Sequence, residues 1–270
     1  MMDVYNFPAH IENLGLPIEG MTDRQKVEVL EYGILKHCDN LAKKLPLTHH
    51  ICNGVYAREL FIPAGTILTG RIHKTKHISI IQQGDISVMT EEGMKRIQGP
   101  AVIQSEAGMK RAGYTHADTI WITIHPTELT DIDEIEDSLF YDSDLSWIDY
   151  HQVIKKHGYT HENVVKISEN PNDQILFDMD YGVEVKDSPI QGKGLFATKD
   201  FKEGVICPAK LGTMRTPAGR YTNHAMNPNC IMIFSDGDIY LKAIKPILKG
   251  TELTTDYDMT LTRSLLCQQQ

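Results

Sequence analysis

The hydrophobic positions of this chain divide it into one helical stretch and two stretches of short strands. From residue 22 to residue 44 apolar residues recur at three- and four-residue steps, which predicts an amphipathic helix. The recurring apolar residues are Val27, Leu30, Ile34, Leu41 and Leu45. Thr22 followed by Gln25 fits a capping box at the start of this helix, and Pro46 marks its end.

From Val55 to His125 the pattern changes to short β-rich runs separated by turn signals. The runs are VYARELFI, TILTGRI, HISIIQQ, DISVMT, KRIQG, AVIQS and TIWITIH. Strands of this number and spacing predict a barrel or a sandwich. The dipeptide His49-His50, just before the first run, is interpreted as a polar turn and not as a pair of metal ligands.

An acidic segment lies between the two β-rich stretches. From Thr127 to Asp149 the chain carries nine acids and no Lys or Arg, a number equal to the net charge of −9 of the whole chain. Such a block repels polyanions and argues against nucleic-acid binding. It is interpreted as a solvated linker or exposed helix face, with docking of a basic partner as the alternative. Helices are predicted at Trp147 to His157 and at His161 to Ser168, and a turn at Asn170 to Asp173.

The C-terminal stretch is again β-rich. Its predicted strands are YGVEVKD, GLFATK, IMIFS, DIYLKAI and ELTTDY, and Asp236-Gly237 predicts a hairpin turn because both residues tolerate positive φ. The fold class that follows is mainly β with some α. We divide the chain into an N-terminal extension and helix (1–50), a β-barrel (51–126), an acidic connector with short helices (127–179) and a small β-rich domain (180–270).

Composition changes this picture little. Hydrophobic residues make up 41% of the 270 positions and charged residues 23%, as in globular proteins. The sequence lacks a long apolar run and a basic, apolar start, so we expect no membrane span, no secretory signal and a cytoplasmic location. The cysteines are widely spaced without a CxxC pair, which predicts reduced, mostly buried thiols. They are Cys38, Cys52, Cys207, Cys230 and Cys267.

Three stretches of the C-terminal region, in this order, carry a family resemblance. They are GKGLFA from Gly192 to Ala197, RYTNHAMNPNC from Arg220 to Cys230, and ELTTDY from Glu252 to Tyr257. Together they resemble the SET domain family of S-adenosylmethionine-dependent lysine methyltransferases. The resemblance implies a truncated, β-rich SET-like domain, S-adenosylmethionine as cofactor, and a protein lysine as methyl acceptor, so that the partner or substrate is a protein.

The resemblance also implies roles for individual residues. The cofactor would be held by Gly192, Lys193, Gly194, Leu195, Phe196, Arg220, Asn223 and His224. The glycines on both sides of Lys193 would let the backbone approach the cofactor closely, because they carry no Cβ. Tyr257 corresponds to the catalytic tyrosine, whose hydroxyl helps to position the amine for in-line attack on the methyl group. Each stretch alone also fits an ordinary turn or a strand-end aromatic.

The chain departs from the family pattern at several places. Only 28 residues separate Gly194 from Asn223, where most members have a longer segment that forms one wall of the substrate cleft. VICPAKLG lacks the tyrosine of the family's second motif, Ala225 replaces a serine, and no zinc-binding cysteine cluster follows Tyr257. A second function therefore stays open: a non-catalytic binding or structural protein that retains degenerate folds.

The predicted barrel has a resemblance of its own. GRIHKTKH, from Gly70 to His77, followed after six residues by Gly84, resembles the first motif of the cupin family, which implies a cupin-like jelly-roll barrel. In this register His73 matches a metal-binding histidine, His77 replaces a glutamate, and Arg71 replaces the other histidine.

The second cupin motif region bears on the kind of ligand. There Arg111 replaces a histidine, and His116 and His125 are nearby alternatives. His73 and His77 with His116 or His125 would form a three-ligand site for a transition metal, and thereby a metal-dependent enzyme. The substituted arginines suit an anion, or a barrel without ligand that serves for packing or partner binding, better than a metal.

The sequence as a whole also looks like proteins encoded by tailed bacteriophages, in which barrels of the type FIPAGTILTGRIHKTKHISII and tails with RTPAGRYTNH occur. This resemblance implies a viral protein that acts in the bacterial cytoplasm or is carried in the virion. Cupin-like barrels often pair through sheet edges, which implies a homo-oligomer formed through the barrel.

Overall fold

The chain forms two compact units, Met1–Asp144 and Leu145–Gln270. The computed structural model describes residues 20–37, 45–90 and 93–268. The predicted fold class, mainly β with some α, is confirmed. The acidic segment is not a separate connector, since its first part belongs to the first unit and its last part to the second. No helix in the described ranges is long and apolar enough to cross a membrane.

The first unit is built around one large antiparallel sheet. Its elements are α1 (Asp23–His37), β1 (Leu47–Cys52), β2 (Val55–Ile62), β3 (Ile67–Thr69), β4 (Ile72–His73), β5 (His77–Thr90), β6 (Gly93–Gln98), β7 (Ala101–Ser105), β8 (Ala112–Pro126), α2 (Ile132–Leu139) and β9 (Phe140–Tyr141). The strand order is β1-β2-β8-β5-β6, with β3 beside β8 and β7 beside β5, while β4 pairs with β9. The long strands β5 and β8 are the centre of the sheet.

Two local predictions in the first unit, the capping box at Thr22 and the turn at His49-His50, have opposite outcomes. The capping box is confirmed, because Thr22 N donates to Gln25 Oε1 at 2.9 Å and Gln25 N donates to Thr22 Oγ1 at 3.2 Å. Residues 38–44 of the predicted helix lie outside the described residues. The polar turn predicted at His49-His50 is wrong: both residues are in β1, where the side chains hydrogen-bond across to Tyr56 and Glu59 of β2. These cross-strand partners satisfy the imidazoles within the sheet.

The acidic segment contributes to the core of the first unit. Ile135 and Leu139 of α2 are buried together with Tyr56 and Phe140. Glu136 of the same helix forms an ion pair with Arg71 at 2.9 Å. The interpretation of the segment as a purely solvated linker is therefore wrong for α2, because the helix is amphipathic and its apolar side is buried.

The second unit contains two four-stranded sheets. Its elements are α3 (Ser146–Lys156), α4 (His161–Ser168), a 3₁₀ turn (Pro171–Asp173), β10 (Val183–Asp187), β11 (Lys193–Ala197), β12 (Gly204–Leu211), β13 (Met214–Arg215), α5 (Pro217–Tyr221), β14 (Asn223–His224), β15 (Cys230–Ser235), β16 (Asp238–Ala243), β17 (Glu252–Thr255) and α6 (Tyr257–Gln268). The strand orders are β10-β11-β17-β14 and β13-β12-β16-β15. One hydrophobic core draws residues from both sheets, among them Leu195, Leu253 and Leu241.

Two local predictions in the second unit are confirmed. Asp236 and Gly237 have φ of 50° and 87° and connect β15 to β16 in register, as a tight hairpin turn requires. Cys207 and Cys230 are buried free thiols, and burial raises the pKa of each to about 12. Cys52 is exposed, so the prediction of buried thiols does not extend to it.

Candidate functional site

The three SET-like stretches meet on one sheet of the second unit. β14 pairs in parallel with β17, which places Asn223 opposite Thr254 and His224 opposite Thr255. β11, which begins at Lys193, lies on the other side of β17 and pairs with it in antiparallel direction. The glycine segment, the Asn-His pair and the strand leading to Tyr257 are therefore neighbours in space, although they are far apart in sequence.

The side chain of Asn223 connects these stretches. Its Nδ2 lies 2.8 Å from Glu252 Oε1 and 3.1 Å from each of Ser188 Oγ and the carbonyl oxygens of Gln191 and Lys193. The two N–H groups of one amide are shared among these four acceptors. Asn223 thus fixes the loop between β10 and β11 against β17.

Gly194 is required by the same arrangement. A Cβ on this residue would overlap the carboxylate of Glu252, which also accepts a hydrogen bond from Ser188 Oγ at 2.8 Å. The carboxylate cannot move away without breaking its bonds to Ser188 and Asn223. The second glycine of the GKG stretch is therefore explained by close packing within the protein.

The imidazole of His224 is held in one tautomer by two neighbours. The backbone N–H of Tyr257 donates to Nδ1 at 3.2 Å, and a backbone N–H has no acceptor capacity. Nε2 must then carry the proton of the neutral ring, and it donates to Asp149 Oδ2 at 3.1 Å. His224 and Asp149 are 2% and 8% exposed, so this bond is shielded from water.

Asp149 was missed as a site residue, because we counted it among the solvated acids of the acidic segment. A signal for it exists in the sequence. In the predicted helix from Trp147 to His157, Asp149 is one turn away from Leu145 and from Val153, two residues that are also buried. An acid on the apolar side of a helix requires a buried partner.

The hydroxyl of Tyr257 donates to the carbonyl oxygen of Thr222 at 3.1 Å. Burial, and to a lesser extent Tyr150 and Glu252, raises the pKa of this phenol above its ordinary value. Tyr257 therefore remains protonated at neutral pH and acts as a hydrogen-bond donor. The ring of Tyr150 meets the Tyr257 ring in an edge arrangement at 5.9 Å, and the His224 ring does so at 5.4 Å.

Helices α3 and α4 add residues that the motifs do not contain. Tyr150 OH lies 3.0 Å from His161 Nδ1, and Gln191 Nε2 lies 2.9 Å from the same nitrogen. Tyr150 and His161 thus connect Tyr257 to the loop that carries Gly192 and Lys193. From the sequence, both helices were expected to belong to a connector and to have no part in the site.

Several residues predicted to bind the cofactor have other roles in the structure. Leu195 and Phe196 are buried, so only their backbone could reach a ligand. Arg220 is buried too, and its Nη1 donates to the carbonyl of Asn170 at 3.0 Å and to Asp173 at 3.1 Å. It stabilises the 3₁₀ turn, because a buried guanidinium requires such partners. The exposed ammonium of Lys193 pairs with Asp187.

The glycine segment nevertheless has space for a ligand. Gly192 has a φ of 52° and is exposed, and a Cβ built on it would meet no described atom within 4 Å. The carbonyl of Gly192 accepts the N–H of Ser188 at 2.8 Å, and those of Gln191 and Lys193 lie 3.1 Å from Asn223 Nδ2, so the exposed segment is held next to Asn223 and no Cβ at Gly192 blocks the approach of a ligand to its backbone. These residues fit a cofactor such as S-adenosylmethionine, whose polar groups require backbone partners at close range.

The first unit contains a separate cluster of three imidazoles. The ligand atoms of His73, His77 and His125 all lie within 4.8 Å of one another. His73 Nδ1 is 2.9 Å from His125 Nε2, and the rings of His73 and His77 are stacked with centroids 3.8 Å apart. His116 does not join them, because it lies further along β8, where its Nε2 bonds to Ser87 Oγ at 2.8 Å.

The three imidazoles fit a metal only after rearrangement. Neutral imidazoles are ligands of zinc, iron, copper and nickel. However, one nitrogen of the His73 ring and one of the His125 ring share a proton in a hydrogen bond, so these two nitrogens are not available to a metal. Ring lone pairs lie in the ring plane, so stacked rings do not direct them at one point. A metal would have to break this bond and rotate the rings.

The protonation state of this cluster follows from burial. Burial, followed by the neighbouring imidazoles and arginines, lowers the pKa of His73 to about 2. Burial and then His77 lower the pKa of His125 to about 4, and the pKa of His77 is also lowered, mainly by burial. All three rings are therefore neutral at pH 7.

We expect the first unit to lose stability as the pH falls below about 6.5, because the unfolded histidines then bind protons that the folded ones do not. Between pH 7 and pH 4, His125 alone contributes a loss on the order of 3 kcal/mol. The measurement is urea unfolding followed by fluorescence of Trp121, with Trp147, the other tryptophan, replaced by phenylalanine. His125→Gln should reduce the pH dependence, whereas the same change at exposed His50 should not. An equal pH dependence in wild type and His125→Gln would contradict this assignment.

One of the two resemblances, that of the C-terminal region, is matched by a family model. The family model of the SET domain matches residues 207–258, which include Asn223, His224 and Tyr257 but not the glycine segment. Solved structures similar to this chain include three cupin domains with TM-scores of 0.26 to 0.28. One from Bordetella pertussis is 18% identical, with 31% of this chain and 93% of that chain covered and a TM-score of 0.26. No curated protein sequence matches the chain.

Two further solved structures that are similar to this chain are also cupin domains. The cupin domain of Schizosaccharomyces pombe Cnp3 is 16% identical and covers 33% of this chain and 75% of its own, with a TM-score of 0.28. A cupin-2 domain protein from Shewanella frigidimarina is 11% identical, with 35% and 100% covered and a TM-score of 0.27.

Proposed function

We propose that the second unit binds S-adenosylmethionine and transfers its methyl group to an amine, as a SET-type protein lysine methyltransferase. The observation that carries the proposal is the direct hydrogen bonding of the three SET-like stretches to one another. Asn223 Nδ2 bonds to the Lys193 carbonyl and to Glu252, and Tyr257 N bonds to His224. The family-model match to residues 207–258 supports the same conclusion.

Each of these residues has a distinct role in the proposal. The exposed backbone at Gly192 and Lys193 would hold the methionine part of the cofactor, with Asn223 fixing that loop. When bound, S-adenosylmethionine would supply an electrophilic methyl group: the N–C bond to the neutral amine forms as the S–C bond breaks, S-adenosylhomocysteine is the leaving group, and the methylated amine releases a proton to water. The Tyr257 hydroxyl donates its one proton to the Thr222 carbonyl, so it would orient the incoming amine by accepting one of the amine's N–H groups. Asp149 is a positioning residue, because it holds His224 in the tautomer that accepts the N–H of Tyr257.

Titration calorimetry with S-adenosylmethionine tests the proposal. We expect wild-type protein to bind the cofactor, more weakly than complete SET enzymes, and Asn223→Ala to weaken binding at least about tenfold, since lost hydrogen bonds to a charged group cost about 1.5–3 kcal/mol. Asn172→Ala, an exposed asparagine of the same unit, is the matched control and should bind as wild type does. If wild-type protein gives no binding heat at high micromolar cofactor, the enzyme proposal must be dropped.

A second candidate function is a non-catalytic binding or structural protein, and one observation favours it. The polar ends that would act on a substrate already have protein partners: Asn223 Nδ2, both ring nitrogens of His224 and the Tyr257 hydroxyl. In this case the SET-like unit is a scaffold for a protein partner. Action in a bacterial cytoplasm or as part of a virion, and assembly through the barrel, stay predictions under either function.

A further inference from the structure

On one face of the first unit's sheet, the chemical character of the side chains changes in steps along the strands. Successive rows of cross-strand partners on β2, β8 and β5 share a face, because side chains alternate along a strand. One row contains Arg58, Thr123 and Ser79, and the next contains Leu60 and Trp121. On the other side of the arginine row lie His125 and His77. The face thus changes from imidazole through guanidinium and hydroxyl to apolar.

These residues line a cavity of about 110 Å³. Three arginines, Arg58, Arg71 and Arg111, belong to its lining, and none of the described lining residues is acidic. Glu136, outside the lining, pairs with Arg71 at 2.9 Å and lies 3.7 Å from Arg58. Asp142, also outside the lining, lies 3.5 Å from Arg71. Two carboxylates near three guanidinium groups leave an excess of positive charge at the cavity, which favours an anion.

Three polar atoms of the lining are buried without a hydrogen bond to any described residue. They are Arg58 Nε, His77 Nε2 and Thr123 Oγ1. His77 and Thr123 are 6% and 8% exposed. A buried polar atom without a hydrogen-bond partner destabilises the folded protein, so the concentration of such atoms in one cavity indicates a bound partner.

The tautomer of His77 specifies what that partner must offer. His77 Nδ1 lies 3.2 Å from the carbonyl oxygen of Thr75, which only accepts, so Nδ1 carries the proton. In the neutral ring Nε2 is then an acceptor and requires a donor. A ligand hydroxyl meets this need, whereas a keto oxygen does not.

We propose that the barrel cavity binds a small hydroxy acid, with its carboxylate at Arg58 and Arg111, its hydroxyl at His77 Nε2 and Thr123 Oγ1, and its carbon atoms against Trp121. Guanidinium groups bind carboxylates through charge-assisted hydrogen bonds. The size agrees, because a cavity of about 150 Å³ holds benzene and this cavity is somewhat smaller. The proposal is independent of methyl transfer, since every residue in it belongs to the first unit.

The test is titration of full-length protein with lactate, propionate, pyruvate and lactamide, followed by Trp121 fluorescence in the Trp147→Phe background. Lactate should bind about tenfold more tightly than propionate and pyruvate, which lack the hydroxyl donor. Lactamide, which lacks the charge, should show no binding at the concentration that saturates with lactate. These comparisons of ligands require no further variant. Equal binding of lactate and lactamide would overturn the proposal.

Variants locate the site. Arg58→Gln and Arg111→Gln should each weaken lactate binding at least about tenfold, as expected for loss of a charged hydrogen bond. Arg96→Gln, which removes an arginine paired with Asp85 away from the cavity, is the matched control and should bind as wild type does. An equal loss in Arg96→Gln would contradict the site. So would binding that disappears with a chelator and returns with Zn²⁺, because direct recognition by arginine needs no metal.

Discussion

Replacing Tyr257 by phenylalanine is expected to reduce methyl transfer by about two to three powers of ten while leaving cofactor affinity within about threefold of wild type, as for the loss of one preorganised hydrogen-bonding group at a reacting centre. The structure gives the reason. The Tyr257 hydroxyl is bonded to the Thr222 carbonyl and remains protonated, whereas the backbone of Tyr257, which contacts His224, is unchanged by the substitution. The effect should therefore fall on the rate and not on binding.

The measurement is transfer of a labelled methyl group from S-adenosylmethionine to a mixture of lysine-containing peptides, together with cofactor calorimetry on the same samples. Tyr181→Phe is the matched control, since it removes a phenol that bonds to Asp178 on the exposed side of the second unit. Transfer that is equal in wild type and Tyr257→Phe would remove the role assigned to the hydroxyl. Cofactor binding without any transfer by wild type would support the non-catalytic function instead.

Much of the fold was predictable because local signals agreed with tertiary structure. The runs from Val55 to Ile62 and from Ala101 to Ser105 are strands with the predicted bounds, and the helix from His161 to Ser168 has its predicted bounds too. The turn at Asp236-Gly237 depends on positive φ, a property of the two residues themselves. Where periodicity or turn chemistry is intrinsic to the residues, the sequence is sufficient.

The remaining features depend on contacts between distant residues. β5 continues through Gly84, which separates the predicted runs HISIIQQ and DISVMT, because its pairing with β8 shifts register there and continues on both sides. A Cβ on Gly84 would overlap Thr119, so this glycine permits close strand approach and does not end a strand. Propensity alone does not distinguish these two uses of glycine.

The candidate site, too, was predictable in part from local sequence, while the rest of it depends on contacts between distant residues. The motifs identified Asn223, His224 and Tyr257, which the structure brings together. They did not identify Asp149 or Tyr150, because these residues lie in helix α3, which ends at Lys156, well before the first motif begins at Gly192. The motifs also suggested Arg220 for the cofactor, whereas the fold uses it at the 3₁₀ turn. A motif identifies residue types, but the packing of helices α3 and α5 decides which of them face the site.

Gly219→Ala is the second change for which we expect a large effect. The sign of the change in the free energy of unfolding shows which of two contributions is larger, helix propensity or overpacking. Within a helix this substitution normally stabilises by about 1 kcal/mol. Here Gly219 of α5 faces β12, and a Cβ would overlap the carbonyl oxygen of Ala209, which already accepts the N–H of Thr216 at 3.0 Å. Overpacking against fixed backbone typically costs about 1–3 kcal/mol, and because α5 is packed directly on β12 we expect a net loss at the upper end of that range.

The free energy of unfolding of Gly219→Ala is measured with urea by fluorescence of Trp147, in a Trp121→Phe background that leaves one reporter in the second unit. Gly212→Ala is the control, because a Cβ there meets no described atom and only its φ of 55° is strained, at about 1–2 kcal/mol. Displacement of α5 also moves Asn223, which follows it by two residues, so cofactor binding should weaken together with stability. A Gly219→Ala protein as stable as wild type would show that α5 can move away from β12, and the close contact would then explain neither the glycine nor the position of the Asn-His pair.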